Sequence, residues 1–394
     1  MSAIHYRFIE PLDVLFLRGN KLFGDPGSYG ESLIPPWPSV AAGAIRARIL
    51  VDDGVDLQAF AESRVEHPDL GTPQEPGSFA LAAFHLARRH GDGHVEVLMA
   101  IPADMVIGES KCDGVQLHRI VPTAIEESCI SHSFPLPLCP VLPTQTRSKS
   151  LSGYWLTQAG WCQYLRGENV DPTLLASNAS LWRIDDRVGV GLDLEQRRAA
   201  EGKLFTTQAV SLIQRGHALG PLQDSSDYDV GFVAGVMGTD LPRSGTIRFG
   251  GDGRGARLSL MEYALPEPDY AAIAQQKKAR IILTTPGIFD NGWLPNGIQK
   301  NNQGDYDLVL EGIRGRLVCA AVSRSEVVSG WDIAQGQPKE AQRCAPTGSV
   351  YWIDDLQAHP EALRKITEAG LWEENSDNPS RRAEGFNRFT WAIW

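Results

Sequence analysis

Apolar and polar residues alternate with different periods along the chain, and the changes of period predict a mixed α and β protein. Two apolar segments of strand length, 5–17 and 79–89, lie near the N-terminus, and Pro11 interrupts the first. Between them, an apolar stripe with helical spacing begins at Pro38 and Ser39, which are residue types that helix N-termini favour. A strand, a loop and then a helix are the expected opening of a β-α-β unit.

Further periodic segments continue this mixture to the C-terminus. The sequence HGDG at 90–93 predicts a tight turn between the strand 79–89 and a second strand at 94–102. The segment 134–143 alternates proline with apolar residues, which favours an extended connector over an interior strand or helix. The other predicted strands are 117–123, 228–238, 280–289, 314–324, 348–354 and 386–394, together with a strand, glycine loop and strand over 244–263, and the other predicted helices are 152–167 and 359–371.

The predicted helix 152–167 carries three large aromatic residues, Trp155, Trp161 and Tyr164. Side chains of this size are usually buried in a hydrophobic core. We therefore expect them to pack in the core, in preference to stacking on nucleic-acid bases.

The order of elements also predicts the division into domains. One helix followed by an antiparallel hairpin is typical of half of a ferredoxin-like, split β-α-β fold. A length of 394 residues allows two or three domains. We predict an α+β fold in two domains, 1–215 and 216–394, of which the first is ferredoxin-like and the second is a further mixed α+β unit.

The segment 185–205 has an apolar arm, a charged tip and a second arm, which is the pattern of a projecting hairpin. Val188 and Val190 lie in the first arm, and Arg197 and Arg198 lie at the tip. Basic residues at such a tip suit a phosphate backbone, because the guanidinium group matches phosphate oxygens in a bidentate manner. The alternative is an exposed surface loop whose charges form ordinary salt bridges.

A second candidate phosphate site is a glycine-rich loop at 250–255 in the second predicted domain. Glycine lets backbone N–H groups approach an anion closely, and arginine adds positive charge. The loop contains Gly250, Gly251, Gly253, Arg254 and Gly255, and Arg243, Arg248 and Arg257 flank it. It is neither a P-loop, because no Gly-Lys-Ser or Gly-Lys-Thr follows, nor a dinucleotide-binding fingerprint. A plain hairpin turn is the alternative.

The overall charge changes this picture. A net charge of −11 opposes nucleic-acid binding, for which a basic domain is the usual footprint. Segregated charge, with an acidic outer face and a basic groove, reconciles the two.

Six cysteines without a CxxC spacing argue against a zinc ribbon and fit a reducing cytosol. No signal-peptide core and no run of about 18 apolar residues occurs, so we expect a cytoplasmic protein without a membrane partner.

Candidate catalytic groups are sparse. Asp185–Asp186 and Asp354–Asp355 are adjacent pairs, and neighbouring side chains on a strand point to opposite faces, so neither pair is expected to converge on one metal ion. His90 and His94 border one turn and leave a metal-independent nuclease as an alternative, although a lone histidine is more often structural. No GxSxG or HExxH motif occurs. We expect no enzymatic activity, no metal and no cofactor.

Six segments, considered together and in order, resemble a known family. They are PLDVLFLRGNKLFG at 11–24, WPSVAAGAIRARI at 37–49, RVGVGLDLEQRRAAEGKLFTT at 187–207, RFGGDGRGARL at 248–258, LTTPGIFDNGWLP at 283–295 and APTGSVYW at 345–352. This order is similar to that of the third-subunit family of the Cmr complex, the type III-B CRISPR effector, within the RAMP superfamily. The resemblance extends over nearly the whole chain, although the stretch 106–184 contains no matching motif.

The resemblance implies two ferredoxin-like (RRM-like) RAMP domains with a projecting hairpin. It also implies a non-catalytic role, in which the protein grips the repeat-derived 5′ tag of the CRISPR RNA and docks the large polymerase-like subunit beside backbone RAMP subunits. The candidate RNA-binding residues are Arg18 and Lys21 in the first-strand loop, Arg187, Arg197, Arg198 and Lys203 on the hairpin, and Gly250, Gly251, Gly253, Arg254 and Gly255 in the glycine loop, with Arg248 beside it.

Two other functions stay open from the sequence. One is a RAMP-type endonuclease that cuts precursor CRISPR RNA, and the other is a protein scaffold without RNA contact. Incubation with labelled repeat RNA discriminates among the three, because they predict retention without cleavage, cleavage, or neither.

Overall fold

The computed structural model describes residues 3–19, 29–110, 114–125, 134–144, 149–193, 195–220, 223–373 and 378–394. Strands make up 44% of the chain and helices 16%, which confirms the mixed α and β class. Within these ranges, no helix is both long enough and apolar enough to cross a membrane.

Strands predominate along the chain, in runs separated by a few short helices. The α-helices of the described residues are α1 (Pro38–Asp52), α2 (Leu57–Ala61), α3 (Gln158–Leu165), α4 (Tyr270–Gln276), α5 (Pro360–Ala369) and α6 (Pro379–Ala383), and short 3-10 helices span Pro172–Leu174 and Asn178–Ser180. The strands are β1 (His5–Pro11), β2 (Tyr29–Gly30), β3 (Ala80–His90), β4 (Val95–Ala100), β5 (Met105–Ser110), β6 (Gly114–Arg119), β7 (Val121–Thr123), β8 (Cys139–Val141), β9 (Tyr154–Leu156), β10 (Leu175–Ser177), β11 (Trp182–Asp193), β12 (Arg198–Leu212), β13 (Ala218–Gly220), β14 (Gln223–Ser225), β15 (Tyr228–Met237), β16 (Ser244–Arg248), β17 (Gly255–Leu260), β18 (Ala279–Leu283), β19 (Ile298–Lys300), β20 (Tyr306–Leu310), β21 (Ile313–Ala321), β22 (Glu326–Val328), β23 (Trp331–Asp332), β24 (Gln337–Pro338), β25 (Gln342–Cys344), β26 (Val350–Ala358) and β27 (Phe389–Ala392).

Eight strands form the first sheet, in the order β10-β9-β4-β3-β15-β1-β17-β16. β1 and β3 are parallel to each other, because each pairs antiparallel with β15, which lies between them. The helix α1 lies between β1 and β3 in the chain, so this part of the protein has the split β-α-β arrangement. Ala41, Ile45 and Ile49 of α1 are buried in the core on one face of this sheet.

Six strands form the second sheet, in the order β19-β20-β21-β26-β18-β27. β18 and β21 are likewise parallel, with β26 between them. A hairpin of β19 and β20 occupies the place between β18 and β21 that α1 has in the first sheet, and α5 joins β26 to β27. The ferredoxin-like pattern has a helix at both positions, whereas each sheet has one of the two within the described residues. Two complete ferredoxin-like domains therefore stay a prediction.

The division between the sheets differs from the predicted domain boundary. The strands β15, β16 and β17 follow residue 215 but pair in the first sheet. The change of sheet falls between Leu260 and Ala279, so the boundary predicted at 215 lies inside the first sheet. The reason is that β15 completes the sheet by pairing with strands distant in sequence, which a local pattern does not show. The glycine loop 250–255 consequently belongs to the first sheet and not to the second half.

The two sheets share a hydrophobic core on the face of the first sheet opposite to α1. Phe8 and Val233 of the first sheet pack in this core with Val318 and Trp352 of the second. All four side chains are at most 4% exposed. The two halves are therefore joined by a buried, apolar contact, which favours a fixed arrangement over independent motion.

A buried ion pair lies within this shared core. Arg280 Nη1 is 2.6 Å from Asp104 Oδ2, and the Tyr164 hydroxyl donates to the other carboxylate oxygen at 2.7 Å. The Arg280 guanidinium carbon also lies 4.3 Å from the centre of the Tyr164 ring. Burial raises the pKa of Tyr164 well above its ordinary value, so its hydroxyl stays protonated and can donate. The three side chains tie β18 of the second sheet to α3 and to the loop before β5.

The predicted helix 152–167 begins later than expected. Residues Tyr154–Leu156 form β9, and α3 begins at Gln158 because the Thr157 side chain accepts a hydrogen bond from the Gly160 N–H and caps the helix. The expectation that its aromatic residues pack in the core is confirmed. Trp161 is 3% exposed, Tyr164 is fully buried, and Trp155 is half-buried against the α1 core.

The proline-rich segment 134–143 is not only a connector. Its residues Cys139–Val141 form the short strand β8, which pairs antiparallel with β7. Pro140 lies opposite Pro122 in this two-stranded sheet. Proline is tolerated here because the pair is short and has edges on both sides.

Candidate nucleic-acid interface

The predicted hairpin is present and is longer than the sequence indicated. β11 and β12 pair antiparallel from Trp182 and Leu212 at the base to Asp193 and Arg198 near the tip. Arg197 has a φ of 50°, in the left-handed region, where the chain turns into β12. The tip therefore presents two consecutive arginines on a tight turn.

Most of the hairpin projects away from the core. Val188 is 69% exposed, Leu192 is 62% exposed and Leu204 is 58% exposed. At Gly189 a β-carbon would lie 2.4 Å from the Phe205 ring of the opposite strand. A side chain at this position would displace the Phe205 ring, which lies across the neighbouring backbone. Cross-strand contacts, and not burial in the core, therefore hold the outer part of the hairpin together.

The segment 12–18 connects the base of the hairpin to the glycine loop. Leu15 exchanges two backbone hydrogen bonds with Val210 of β12, each of 2.8 Å. On the other side, the Gly251 N–H donates to the Phe16 carbonyl oxygen, also at 2.8 Å. The hairpin base, this segment and the glycine loop therefore form one continuous surface.

Phe16 lies at the centre of that surface and is 5% exposed. The guanidinium carbon of Arg254 is 5.1 Å from the centre of its ring and that of Arg187 is 6.0 Å away, within the range of cation–π contacts. Arg18 Nη2 lies 3.6 Å from Asp252 Oδ1 of the glycine loop. We name Phe16, Arg18, Arg187, Arg254 and the loop 250–255 the base cluster.

Each guanidinium group of the base cluster has a carboxylate beside it. Arg254 Nη1 is 2.8 Å from Asp13 Oδ2, and Arg187 Nε is 2.9 Å from Asp185 Oδ2. Exposed ion pairs of this kind contribute only about 0–1 kcal/mol, so a phosphate can replace the carboxylate. The base cluster therefore holds three guanidinium groups in position but has little net positive charge by itself.

The glycine loop is a turn between β16 and β17 that packs closely on the first-strand segment. Gly250 has a φ of 81°, and a β-carbon there would lie 2.9 Å from the Phe16 carbonyl oxygen. The Gly251 N–H is donated to the same oxygen, so this group binds the protein and not an anion. Gly253 also has a positive φ, of 63°, but a β-carbon there would meet nothing within 4 Å. The loop thus supplies a surface through its packing, while its arginine supplies the charge.

A second set of basic residues lies near the far end of the hairpin. Arg197, Arg198 and Lys203 are exposed, and none of their side chains forms an ion pair or hydrogen bond with another described residue. The register places Arg198 opposite Asp193, which is about 20 Å along the strand from Arg187 at about 3.4 Å per residue. We name Arg197, Arg198 and Lys203 the distal group.

The structure divides the predicted residues between these two places. Arg248 is exposed at the end of β16, where it pairs with Gly255, and Lys21 lies outside the described residues. Sequence reasoning missed Phe16 and its neighbour Asp13. Phe16 stands in an apolar run that indicates only burial, and nothing in the sequence places it under two arginines.

The paired aspartates do not converge on one site. Asp354 Oδ2 is 3.4 Å from Lys278 Nζ, whereas Asp355 Oδ2 is 2.8 Å from Arg316 Nη2. Within the described part of the chain, no group of three or more histidine, cysteine or carboxylate side chains could hold a metal ion.

A family model described as CRISPR-associated protein (Cas_Cmr3) matches residues 7–394. The chain belongs to the Cmr3 family of CRISPR-associated proteins. The resemblance found in the sequence is thereby confirmed. The matched range includes the hairpin, the first-strand segment and the glycine loop, so the base cluster and the distal group are both parts of the Cmr3-family sequence.

Other comparisons place this Cmr3-family chain beside solved structures. No curated protein matches it. It is similar to a chain in the cryo-EM structure of the type III-B Cmr-beta bound to cognate target RNA, with 15% identity, a TM-score of 0.48 and coverage of 98% of this chain and 96% of that chain. It is also similar to a chain in Cmr-beta bound to cognate target RNA and AMPPnP, state 1, with 14% identity, a TM-score of 0.47 and coverage of 97% and 93%.

Proposed function

We propose that the protein is a non-catalytic RNA-binding subunit of a type III-B CRISPR effector complex. In this role it grips the repeat-derived 5′ tag of the CRISPR RNA and docks the large polymerase-like subunit beside backbone RAMP subunits. Membership of the Cmr3 family supports the assignment to a CRISPR effector. Each half acts as a ferredoxin-like domain in which one helix is replaced by strands.

The observation that carries the proposal is the distal group. Arg197, Arg198 and Lys203 project on an exposed hairpin without a carboxylate partner among the described residues. Unpaired guanidinium groups keep their full capacity for bidentate hydrogen bonds to phosphate. The carboxylates of the same hairpin, Asp193, Glu195 and Glu201, form no ion pair with these three cations, so the cationic side chains stay available to a phosphate.

The base cluster supplies a second contact with a different mechanism. Its three guanidinium groups are already aligned by Phe16 and by exposed carboxylates. A phosphate that displaces Asp13 or Asp185 exchanges one weak ion pair for another, so little side-chain ordering is required on binding. RNA that spans the hairpin would then touch the distal group and the base cluster together.

We also propose that the isolated chain does not cleave RNA. Its adjacent aspartates bind separate cations, as Asp354 does with Lys278 and Asp355 with Arg316. No nucleophile with a general base beside it was found among the sequence candidates.

The test incubates the highly purified chain with labelled repeat RNA, with and without divalent metal. Retention without cleavage is the expected result. Cleavage that is lost on His90→Ala or Asp186→Ala would replace the proposal with an endonuclease. If neither the chain nor its assembled complex cleaves or retains the RNA, the remaining function is a protein scaffold.

A further inference from the structure

A second hairpin, in the second half of the protein, differs in chemistry from the hairpin of β11 and β12. Its strands β23 and β24 pair only with each other among the described strands, through Trp331 with Pro338 and Asp332 with Gln337. The hairpin continues a stem that β22 and β25 form. We name residues 329–338 the apolar tip.

The apolar tip exposes large hydrophobic side chains to solvent. Trp331 is 59% exposed, and Ile333 is 88% exposed, the highest fraction for a large hydrophobic side chain among the described residues. Single exposed hydrophobic residues are common on protein surfaces, whereas a tryptophan and an isoleucine together on one turn are typical of an interaction site. Aromatic side chains of this kind act as anchors that fill pockets of a partner protein.

A buried arginine holds the stem beneath the apolar tip. Arg381 is 4% exposed, and its Nη2 donates to the carbonyl oxygens of Ser329 at 3.0 Å and Glu340 at 3.3 Å, which lie on the two arms of the hairpin. Its Nε donates to Gln342 Oε1, and its Nη1 donates to Glu384 Oε2, each at 3.0 Å. One guanidinium group thus binds both arms, so the tip stands on a fixed base.

The turn at the end of the apolar tip is ordered by its own residues. The Gln335 N–H donates to Asp332 Oδ1 at 3.1 Å. Gly336 has a φ of 65°, in the left-handed region that favours glycine. A surface that is ordered before binding loses little conformational entropy when a partner arrives. The tip is therefore preorganised for an interaction.

The charges of the apolar tip indicate the kind of partner. Asp332 is the only charged residue of the tip, in which no lysine or arginine occurs. The Lys339 ammonium group, which follows the tip, pairs with Glu384, and Arg343 lies further down the stem on β25. A tip with a carboxylate and without cations opposes a phosphate backbone, unlike the distal group. An apolar protein surface with a cation nearby complements it.

We propose that the apolar tip docks into an apolar pocket of another protein subunit of the effector complex, with a basic side chain at the rim of that pocket beside Asp332. Trp331 and Ile333 fill the pocket. The inference rests on the proposed function, because it takes the partner from the subunits of that complex. It gives the second half a protein contact that is separate from the RNA contacts of the first half.

Photo-cross-linking identifies what the apolar tip contacts. Ile333 is replaced by benzoylphenylalanine, and the chain is assembled with CRISPR RNA and the large and backbone subunits. Irradiation is expected to join the chain to one protein subunit. The control places the same group at Val309, a 53% exposed side chain on β20, and should give much less of this product. A product with RNA or with a second copy of the chain, no product from an assembled complex, or the same yield at both positions would overturn the inference.

Affinity measurements with the cross-linked subunit test the anchor and the charge separately. Trp331→Ala should weaken binding at least about thirtyfold, because removal of a central aromatic anchor is strongly unfavourable. Asp332→Asn keeps an oxygen for the Gln335 N–H but removes the charge, so it should weaken binding about threefold and reduce its salt dependence. Val309→Ala should bind like the wild type. Unchanged affinity for Trp331→Ala would overturn the docking, and unchanged salt dependence for Asp332→Asn would overturn the basic rim.

RNA binding distinguishes failure of this inference from failure of the proposed function. The apolar tip is part of neither the base cluster nor the distal group, so Trp331→Ala should retain labelled repeat RNA like the wild type. If the wild-type complex binds RNA and the variant joins it with unchanged affinity, the inference alone fails. If the wild-type chain neither joins such a complex nor retains RNA, the inference and the proposed function fail together.

Discussion

Single residues set the geometry of the base cluster, and Phe16 is the one that connects its parts. Its ring lies beneath Arg187 and Arg254, and its carbonyl oxygen accepts the Gly251 N–H. The hydrogen bond from Gly251 depends on the close approach of the loop to Phe16 that Gly250 permits. Substitutions in this loop can therefore distinguish the effect of packing against Phe16 from the effect of backbone conformation.

Gly250→Val and Gly253→Val form a matched pair of loop variants. Both residues have a positive φ, which costs a valine about 1–2 kcal/mol. A β-carbon at Gly250 also meets the Phe16 carbonyl oxygen at 2.9 Å, whereas Gly253 is open. We expect Gly250→Val to lose more stability in urea unfolding, by about 1 kcal/mol or more, and to bind RNA more weakly than Gly253→Val. Equal losses for the two variants would show that packing against Phe16 does not matter.

His85 predicts a pH dependence of stability. Burial lowers its pKa from 6.5 to about 4 in the folded protein. The unfolded chain therefore binds the proton more readily between these values, so the contribution of His85 is complete above about pH 6.5 and is lost as the pH falls towards 4. The loss is about 3 kcal/mol. The free energy of unfolding of His85→Leu, measured against pH, should fall less steeply over this range than that of the wild type. Parallel curves for the variant and the wild type would contradict the lowered pKa of His85.

At the scale of elements, the hairpin of β11 and β12 is the feature most exposed to solvent. Its base is fixed by Leu15 and Val210, while Arg198 of the distal group lies about 20 Å beyond Arg187 along the strands. The outer half has no core to stabilise it, so its charges are free to serve binding. The base and the tip of the hairpin therefore make different contacts.

Replacing Arg197 and Arg198 with alanine should weaken RNA binding and flatten its salt dependence. Each phosphate contact contributes about 0.7–0.9 to the slope of log affinity against log salt. The double variant should therefore lose about one to two units of slope, measured by titration at several salt concentrations. Arg314→Ala with Arg324→Ala is the control, because it removes the same charge from two exposed residues of the second half. The same slope for both double variants would exclude the hairpin from the RNA site.

For the whole molecule, the contact between the two sheets decides how the halves are held. Arg280 of β18 reaches Asp104 across this contact, and their side chains are at most 2% exposed. Weakening the contact between the sheets should destabilise both halves together.

Asp104→Ala tests the buried pair. It leaves the Arg280 guanidinium buried without its carboxylate, which should cost about 3–5 kcal/mol in the free energy of unfolding. Asp355→Ala removes a carboxylate from the exposed pair with Arg316 and should cost about 0–1 kcal/mol. Urea unfolding measures both. Similar small losses for the two variants would show that the pair does not hold the halves together.

Net charge predicts how the protein binds RNA alone and in its complex. A charge of −11 opposes the approach of RNA, and the arginine clusters offset this only within about 8–10 Å at physiological salt. We therefore expect a tag-bearing RNA to bind the isolated chain weakly and to bind its complex with the large and backbone subunits more tightly. Titration at one salt concentration compares the two. Equal affinities would show that the chain carries a complete site.

The local sequence pattern was sufficient to predict many features of this protein. The mixed class, the hairpin, the turn at 90–93, the core position of Trp161 and the family itself followed from spacing and motifs. These features depend on residues close in sequence, because hydrophobic period and turn chemistry act over a few residues. The glycine loop was found for the same reason.

The features that the sequence did not predict depend on tertiary structure. β15 belongs to the first sheet because it pairs with β1 and β3, and this moved the division between the halves beyond 215. Arg254 meets Asp13 across 241 positions of sequence, and this pair is one of three that make the base cluster nearly neutral. A cavity beside His85 is lined by residues of both halves, among them Trp155 and Thr284. Such features arise from pairing and packing between distant segments, and a single sequence records the segments but not which of them meet.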